Sequence, residues 1–274
     1  MIRFLFNLLI CCVVITCPGC RPDQSPAVTN KNKGEPNYIL IVSIDALHPE
    51  ALSQTQSPNI YSLMKKGRYT LKGQSTVPPL TLLSHAAMFT GTGPEVGRMD
   101  NSWQPGEKTV TGPTIFTDAK SRGFTTAFFY AKQKLGYLVS RDVDTHQLDR
   151  DFTVELADSF FKNTDPKKFC FLHISGLDRV GPIAGWLSPE YMEELFFIDK
   201  SLGPLIEQVI SHPGYLIIIT SDHAGHGTIH GSDHPDDAKL PLVMMSDIAD
   251  LEPYQGISFY VTDLRSLLKK ILGV

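Results

Sequence analysis

A short segment of the chain carries one aspartate and three histidines within nine positions. Residues 222–230 read Asp-His-Ala-Gly-His-Gly-Thr-Ile-His, and they follow the apolar run of residues 215–219. That run predicts a strand buried on both faces. Carboxylate and imidazole groups are the ligands that a borderline-soft divalent cation such as zinc takes from proteins. The segment therefore indicates a metal site at a strand end, although a polar loop with solvated histidines would have the same composition.

Two further carboxylates follow predicted strands. Asp45 ends the apolar run of residues 37–44, and Asp178 comes soon after the run of residues 168–175. In chains that alternate strands and helices, ligands gather at the carboxyl ends of the strands. Asp45 is therefore placed for such a site, with a purely structural turn aspartate as the alternative.

A hydroxyl group stands where a helix is predicted to begin. Pro78 and Pro79 force an extended approach, and a helix should start close to Thr81 and run to Thr90. The Thr81 hydroxyl has two interpretations. It is either an N-cap for a free backbone donor, or a nucleophile where the helix N-terminus attracts an anion such as phosphate.

The remaining pattern alternates strands with helices, which indicates an α/β fold. Predicted strands cover residues 37–44, 68–74, 124–130, 168–175, 215–219 and 241–245, and predicted helices cover 57–66, 81–90, 112–123, 153–163, 188–211 and 262–272. The segment of residues 131–151 shows no usable pattern, and its one histidine, His146, is interpreted as a surface residue.

The bulk composition is that of a globular protein. The chain has 274 residues, 42% hydrophobic and 20% charged, with a net charge of −4, which suits one large domain or two small ones. No basic run suggests a nucleic-acid groove. Four of the five cysteines precede residue 21, so the body holds only Cys170, interpreted as an inert packed thiol.

The first 36 residues predict export. Residues 1–20 combine a basic start with a short apolar core, which is typical of a signal peptide, and Gly19-Cys20 resembles a lipoprotein processing site with Cys20 lipidated. An ordinary signal peptide or an uncleaved anchor is the alternative. Residues 21–36 predict a flexible linker, so the domain spans residues 37–274 on the periplasmic or cell-surface side, touching a membrane only through this anchor.

Four blocks of sequence together resemble the alkaline-phosphatase superfamily. They are Asp45 after a strand, Thr81-x-x-x-His85 before a helix that ends in Thr-Gly, Asp178 with a following Gly-Trp and Ser-Pro-Glu-Tyr, and Ser-Asp222-His. The branch they resemble is the type I phosphodiesterase / nucleotide pyrophosphatase family. The resemblance implies a three-layer αβα fold with a mostly parallel central sheet, and two metals, usually zinc.

The resemblance also implies roles for particular residues. Thr81 matches the nucleophile, and Asn101 matches an asparagine that binds a phosphoryl oxygen, provided that one residue is missing from the segment before it. The first metal would be bound by four side chains: Asp45, Thr81, Asp222 and His223.

The second metal is incomplete. Asp178 and His230 match two of its ligands, but Pro182 stands where the family has a histidine, and proline offers no donor to a metal. His173, His226 and His234 are candidates for the missing ligand, although His173 alternates with buried neighbours and is interpreted as a core residue.

These observations favour a zinc-dependent hydrolase of small phosphate esters, of the phosphodiester or nucleotide pyrophosphate type, that forms a phosphothreonine on Thr81. The alternative is a degenerate member that keeps the fold and one metal but acts as a binding protein. A sulfatase is disfavoured because the Cys/Ser-x-Pro-x-Arg motif does not occur in the chain.

The missing histidine generates a prediction. The substitution Pro182→His should raise both metal occupancy and activity, because it restores a ligand whose loss weakens metal binding. Elemental analysis and phosphodiester turnover would measure the two effects. No change in either would mean that another residue already fills that position or that the backbone there has diverged.

Overall fold

The computed structural model describes residues 34–93 and 100–274. The predicted signal peptide, most of the linker and the segment before Asp100 lie outside these residues. Glu35, at the end of the predicted linker, pairs with Arg122 at 2.6 Å and with Lys167 at 3.4 Å. Within the described ranges, no helix is both long and apolar enough to cross a membrane.

Fifteen strands and α-helices follow in chain order. They are β1 (Tyr38–Ile44), α1 (Pro58–Lys66), β2 (Arg68–Gln74), α2 (Thr81–Thr90), α3 (Ile115–Ser121), β3 (Thr125–Tyr130), β4 (Thr145–Leu148), α4 (Thr153–Lys162), β5 (Lys168–Ile174), α5 (Gly176–Ala184), α6 (Pro189–Ile210), β6 (Tyr215–Thr220), β7 (Lys239–Ser246), β8 (Phe259–Tyr260) and α7 (Asp263–Leu272).

The strands form one sheet in the order β4-β3-β5-β1-β6-β7-β2-β8. Neighbouring strands are parallel except at β7, which runs antiparallel to both β6 and β2. The central strand β1 pairs in parallel with β5 and β6, so that Ile41 lies opposite Phe171 on one side and Ile218 on the other. Consequently the carboxyl ends of β3, β5, β1 and β6 lie side by side at one edge.

Helices cover both faces of the sheet. Ile39 and Ile41 pack into a core with α2, α3 and α7. Leu40 and Val42, which point the opposite way along β1, pack into a second core with α1, α4 and α6. Burial on both faces explains the uninterrupted apolar runs. The predicted three-layer αβα fold with a mostly parallel sheet is confirmed.

The structure departs from the predicted elements at the start of α3 and by adding β4, α5 and β8, which the sequence did not predict. The predicted helix of residues 112–123 begins only at Ile115, because the Thr114 side chain caps it by accepting from the Phe116 N–H at 3.2 Å. The patternless segment contains a 3₁₀ turn, Gln133–Leu138, and the edge strand β4. All four residues of β4 are exposed, so this strand has no buried face to create an alternating pattern.

A buried aspartate of α6 holds the start of α1. Asp199 accepts hydrogen bonds from the backbone N–H groups of Asn59 at 3.0 Å and Ile60 at 2.8 Å. Ser57, the N-cap residue of α1, makes no capping side-chain bond. The Asp199 carboxylate thus supplies the acceptor that free N–H groups at a helix start require.

We predict that Asp199→Ala lowers the free energy of unfolding by about 2–3 kcal/mol, because it leaves buried donors without an acceptor. Chemical denaturation would measure the loss. Asp199→Asn, which keeps one acceptor oxygen, should lose less. As a matched control, Asp158→Ala removes only the surface pair with Lys162 and should cost under about 0.5 kcal/mol. Equal losses for the two alanine variants would contradict this role.

Candidate metal centre

The polar residues that follow four neighbouring strands meet at one edge of the sheet. Asp45 follows β1, Lys132 follows β3, and Asp222 and His223 follow β6. Asp178 lies in the first turn of α5, directly after β5. Adjacent parallel strands bring their carboxyl ends together, and the sheet order therefore gathers these side chains into one cluster.

Four buried atoms in this cluster have no hydrogen-bond partner among the described residues: Asp45 Oδ1, Asp178 Oδ1, Asp222 Oδ2 and His223 Nε2. His223 Nε2 lies 3.3 Å from the Asp45 oxygen, 3.6 Å from the Asp222 oxygen and 3.8 Å from the Asp178 oxygen. Ligands about 2.1 Å from a tetrahedral zinc are about 3.4 Å apart. Since buried polar atoms are normally paired, Asp45, Asp222 and His223 fit one divalent cation, and Asp178, His223 and His230 form a second candidate group that shares His223 with the first.

The other atoms of the same side chains are held by hydrogen bonds. Asp222 Oδ1 accepts from the backbone N–H groups of Ala46 at 3.2 Å and His223 at 3.0 Å. His223 Nδ1 donates to the carbonyl of Ala224 at 2.9 Å, which leaves Nε2 with its lone pair free. Outer contacts of this kind fix the tautomer and the orientation of metal-binding side chains.

His173 lies behind Asp45. It is fully buried, as the core interpretation predicts, but both its ring nitrogens are used. Nδ1 accepts from the Ala131 N–H at 3.2 Å, so Nε2 carries the proton and donates to Asp45 Oδ2 at 3.0 Å. His173 therefore positions the Asp45 carboxylate and does not replace the histidine missing at Pro182.

Mutual burial shifts the ionisation of the cluster. Burial disfavours the Asp45 anion, yet Lys132 and His173 outweigh burial and hold the pKa of Asp45 well below its usual range. Burial and the neighbouring Asp45 charge raise the pKa of Asp222 to about 7. Burial opposes protonation of His223, but Asp222 and Asp45 raise the pKa of His223 to about 9. Protons bound to Asp222 and His223 thus offset the negative charge that a divalent cation would otherwise neutralise.

His230 lies on the solvent side of the cluster. Its Nε2 is 3.5 Å from Asp178 Oδ1, and its ring stacks on His223 with centroids 4.8 Å apart. Burial and the positive charge of His223 lower the pKa of His230. The two ligand sets implied by the sequence are therefore not separate, because both reach His223.

The other two candidate histidines lie apart from the four-atom cluster. His226 Nδ1 is 2.7 Å from Asp237 Oδ1, and the His226 ring stacks on His234 with centroids 3.8 Å apart. Pro182 lies within α5, four residues after Asp178, and is exposed. Among the described residues, none of the three candidate histidines supplies the ligand missing at Pro182.

Thr81 lies next to the cluster, but not as a helix cap. Leu80 is the N-cap of α2 and Thr81 is the first helical residue, so the capping interpretation of its hydroxyl is wrong. Thr81 Oγ1 instead accepts from Lys132 Nζ at 3.1 Å. His85 Nδ1 donates to the Thr81 carbonyl at 2.7 Å and so fixes this turn.

Asn101 lies at the same helix start. Its Oδ1 accepts from the backbone N–H of Leu82 at 2.9 Å. Because the amide oxygen is used, the NH₂ group of Asn101 remains as a donor. The structure thus brings Asn101 and Thr81 together, as the resemblance implies, although the segment that precedes Asn101 lies outside the described residues.

Lys132 is the site residue that the sequence reasoning missed. Its ammonium lies 2.6 Å from Asp45 Oδ2, 2.6 Å from Asp178 Oδ2 and 3.1 Å from Thr81 Oγ1. Burial disfavours the charge, but Asp45 and Asp178 raise the pKa of Lys132 and keep it protonated. Its one sequence signal is its position two residues after a strand, which is the signal that singled out Asp45.

Fold and site together define a member of the alkaline-phosphatase superfamily, with a buried carboxylate–imidazole centre at the carboxyl edge of an αβα sheet. Residues 39–260 match the family model of type I phosphodiesterases / nucleotide pyrophosphatases. The chain belongs to that family, and the resemblance read from its four sequence blocks is confirmed.

Individual relatives are distant. GPI ethanolamine phosphate transferase 1 of Candida glabrata is 27% identical over 218 residues, which cover 68% of this chain; the chain spans only 23% of that protein. A 2-O GAG sulfatase superposes with a TM-score of 0.69 at 16% identity, covering 88% of this chain and 71% of the sulfatase. The C-terminal periplasmic domain of EcEptC from Escherichia coli, in complex with zinc, superposes with a TM-score of 0.62 at 13% identity, covering 88% and 83%. At such identities the two structures establish the fold.

We predict that His223→Ala weakens zinc binding strongly, because the three carboxylate oxygens lie around Nε2 of His223. Loss of a residue that only orients a metal ligand weakens metal binding by roughly 10–100-fold, and the loss for His223→Ala should be larger. Calorimetric zinc titration of the purified protein would measure the loss. His146→Ala is the matched control, since His146 lies on the exposed strand β4, and it should change zinc affinity far less. Equal affinity of His223→Ala and the unsubstituted protein would contradict the assignment.

Proposed function

We propose that this protein is a metal-dependent phosphodiesterase that acts through Thr81. The observation that carries the proposal is the position of the Thr81 hydroxyl. It lies at the first turn of α2 and 3.1 Å from the Lys132 ammonium, and that ammonium also contacts Asp45 and Asp178, two residues of the four-atom cluster. A hydroxyl so placed next to positive charge is suited to attack as an alkoxide.

A divalent cation would be held by Asp45, Asp222 and His223, with Asp178 next to them on the other side of His223. When bound, it would supply positive charge for the phosphoryl oxygens and for the oxygen of the nucleophile. The protein contributes the remaining groups. The Lys132 ammonium favours the ionised form of Thr81, the start of α2 attracts the anionic phosphoryl group, and the NH₂ group of Asn101 is available to donate to a phosphoryl oxygen.

The proposed reaction has two displacements at phosphorus. Thr81 Oγ1 forms a bond to phosphorus as the bond to the first alcohol breaks, and that alcohol leaves with a proton. Water then attacks the phosphothreonine, the bond from Oγ1 to phosphorus breaks, and Thr81 regains its proton. The proposed substrate is a small phosphate ester.

Transfer to an alcohol instead of water is the second candidate. It is favoured by the similarity to the Candida glabrata protein, which is named a phosphate transferase. The first displacement would be the same, and an acceptor hydroxyl would take the place of water in the second. The products formed from a diester in the presence of an added alcohol distinguish the two candidates. Hydrolysis yields a phosphate monoester, whereas transfer yields a new diester that carries the added alcohol.

A degenerate binding protein is the alternative without chemistry. Against it, the cluster retains four converging ligand atoms, and the nucleophile position retains a hydroxyl. A sulfatase is disfavoured because the chain lacks the Cys/Ser-x-Pro-x-Arg motif, and the similarity to a sulfatase concerns the fold. We further propose that the domain acts outside the cytoplasm, held by a lipid on Cys20.

We predict that Thr81→Ala lowers turnover of a nitrophenyl phosphodiester by at least about 10³-fold, as expected for loss of a nucleophile. Thr81→Ser should retain partial activity and should yield a phosphoserine at position 81 when the reaction is quenched in acid and examined by mass spectrometry. Thr90→Ala, at the far end of the same helix, is the matched control and should keep activity.

Two outcomes would contradict the proposal. Undiminished turnover by Thr81→Ala would exclude Thr81 as the nucleophile. Absence of turnover by the zinc-loaded unsubstituted protein, across diester and pyrophosphate substrates, would favour the degenerate binding protein.

A further inference from the structure

The carboxylates of the centre use their two oxygens differently. Asp45 and Asp178 each direct one oxygen toward His223 Nε2 and leave it unpartnered. Their second oxygens both bind the ammonium of Lys132, each at 2.6 Å. The ammonium therefore binds one carboxylate from each of the two predicted ligand sets.

Asp178, His223 and His230 lie close enough to hold a second cation, but they share His223 with the first ligand group and do not make an independent site. Asp178 has one oxygen on Lys132, and His223 Nε2 carries a single lone pair, which can bind only one ion. His230 would be left with Asp178 alone. Pro182, one turn after Asp178 along α5, offers no donor atom. The two-metal arrangement that the family implies does not fit this chain.

Lys132 is held in this position by its backbone. Its carbonyl accepts from the Leu135 N–H at 3.0 Å, which starts the 3₁₀ turn. The N–H of the preceding residue, Ala131, donates to His173 at 3.2 Å, and His173 in turn holds Asp45. The segment carrying Lys132 is thus tied to the first cation's ligands.

We propose that Lys132 takes the place of the second cation, so that this centre binds one divalent cation. The ammonium supplies the second positive charge, bridges Asp45 and Asp178, and holds the Thr81 hydroxyl. A fixed ammonium at position 132 makes a histidine at position 182 unnecessary. The lysine at one position therefore accounts for the proline at the other. This inference rests on the proposed metal centre but not on the reaction assigned to it.

The test is the zinc stoichiometry of the full chain, measured by elemental analysis after gel filtration and by calorimetric titration. All proteins carry His234→Ala, because His226, His234 and Asp237 form a separate candidate cation group. The protein unsubstituted at positions 132 and 182 should bind one equivalent. Pro182→His should still bind one because Lys132 stays, which corrects the gain in occupancy that the sequence alone predicts. The double variant Lys132→Met with Pro182→His removes the ammonium and restores the ligand, and it should bind two. Lys134→Met is the matched control: among the described residues Lys134 makes no ion pair with these carboxylates, and its variant should bind one.

The protein unsubstituted at positions 132 and 182 decides the question even if a variant fails to fold. Two equivalents in that protein would overturn the inference while leaving the proposed function intact. A second equivalent in Pro182→His alone would overturn it as well. One equivalent without any phosphoester turnover would contradict the proposed function and uphold the inference, and no bound zinc would overturn the metal centre itself.

Discussion

The structure depends on placing three carboxylates around one imidazole in a buried space. Asp45 and Asp222 are fully buried, and an unpaired buried charge costs several kcal/mol even after relaxation. Part of this cost is offset by the Lys132 ammonium, by His173 and by the N–H of Ala46. The remaining cost comes from the four unpartnered atoms, which a bound cation would provide with a partner. A bound cation would therefore offset the cost that the chain itself leaves uncompensated.

The sheet makes this arrangement possible. The strands β3, β5, β1 and β6 are adjacent and parallel, so each delivers its following residues to the same edge. The strands are fixed in register because both faces are buried, and a slip by one residue would turn apolar side chains to the wrong core. The precision of the centre is thus a consequence of the two apolar cores beneath it.

Much of the architecture could be predicted from the sequence, because long apolar runs and helix-start signals are local. The strands β1, β5 and β6 and the long helix α6 lie within one or two residues of their predicted bounds. The edge strand β4 could not be predicted, since it is exposed and its pairing with β3 is made by the backbone. The place of Lys132 in the centre could not be predicted for a related reason. A lysine after a strand does not indicate a site residue until the neighbouring strand ends are known to carry carboxylates.

The sequence by itself determined which candidate groups follow the strand ends: Asp45, Asp178, Asp222 and His223 as candidate ligands and Thr81 as the hydroxyl. The family resemblance added that proline stands at position 182 where a histidine is expected. Only the tertiary structure decided how these groups are shared. His223 lies between both predicted ligand sets, and Lys132 takes the carboxylate oxygens that a second cation would need. The physical reason is that chain order specifies which groups reach the edge of the sheet, whereas the distances between them depend on the packing of four strands.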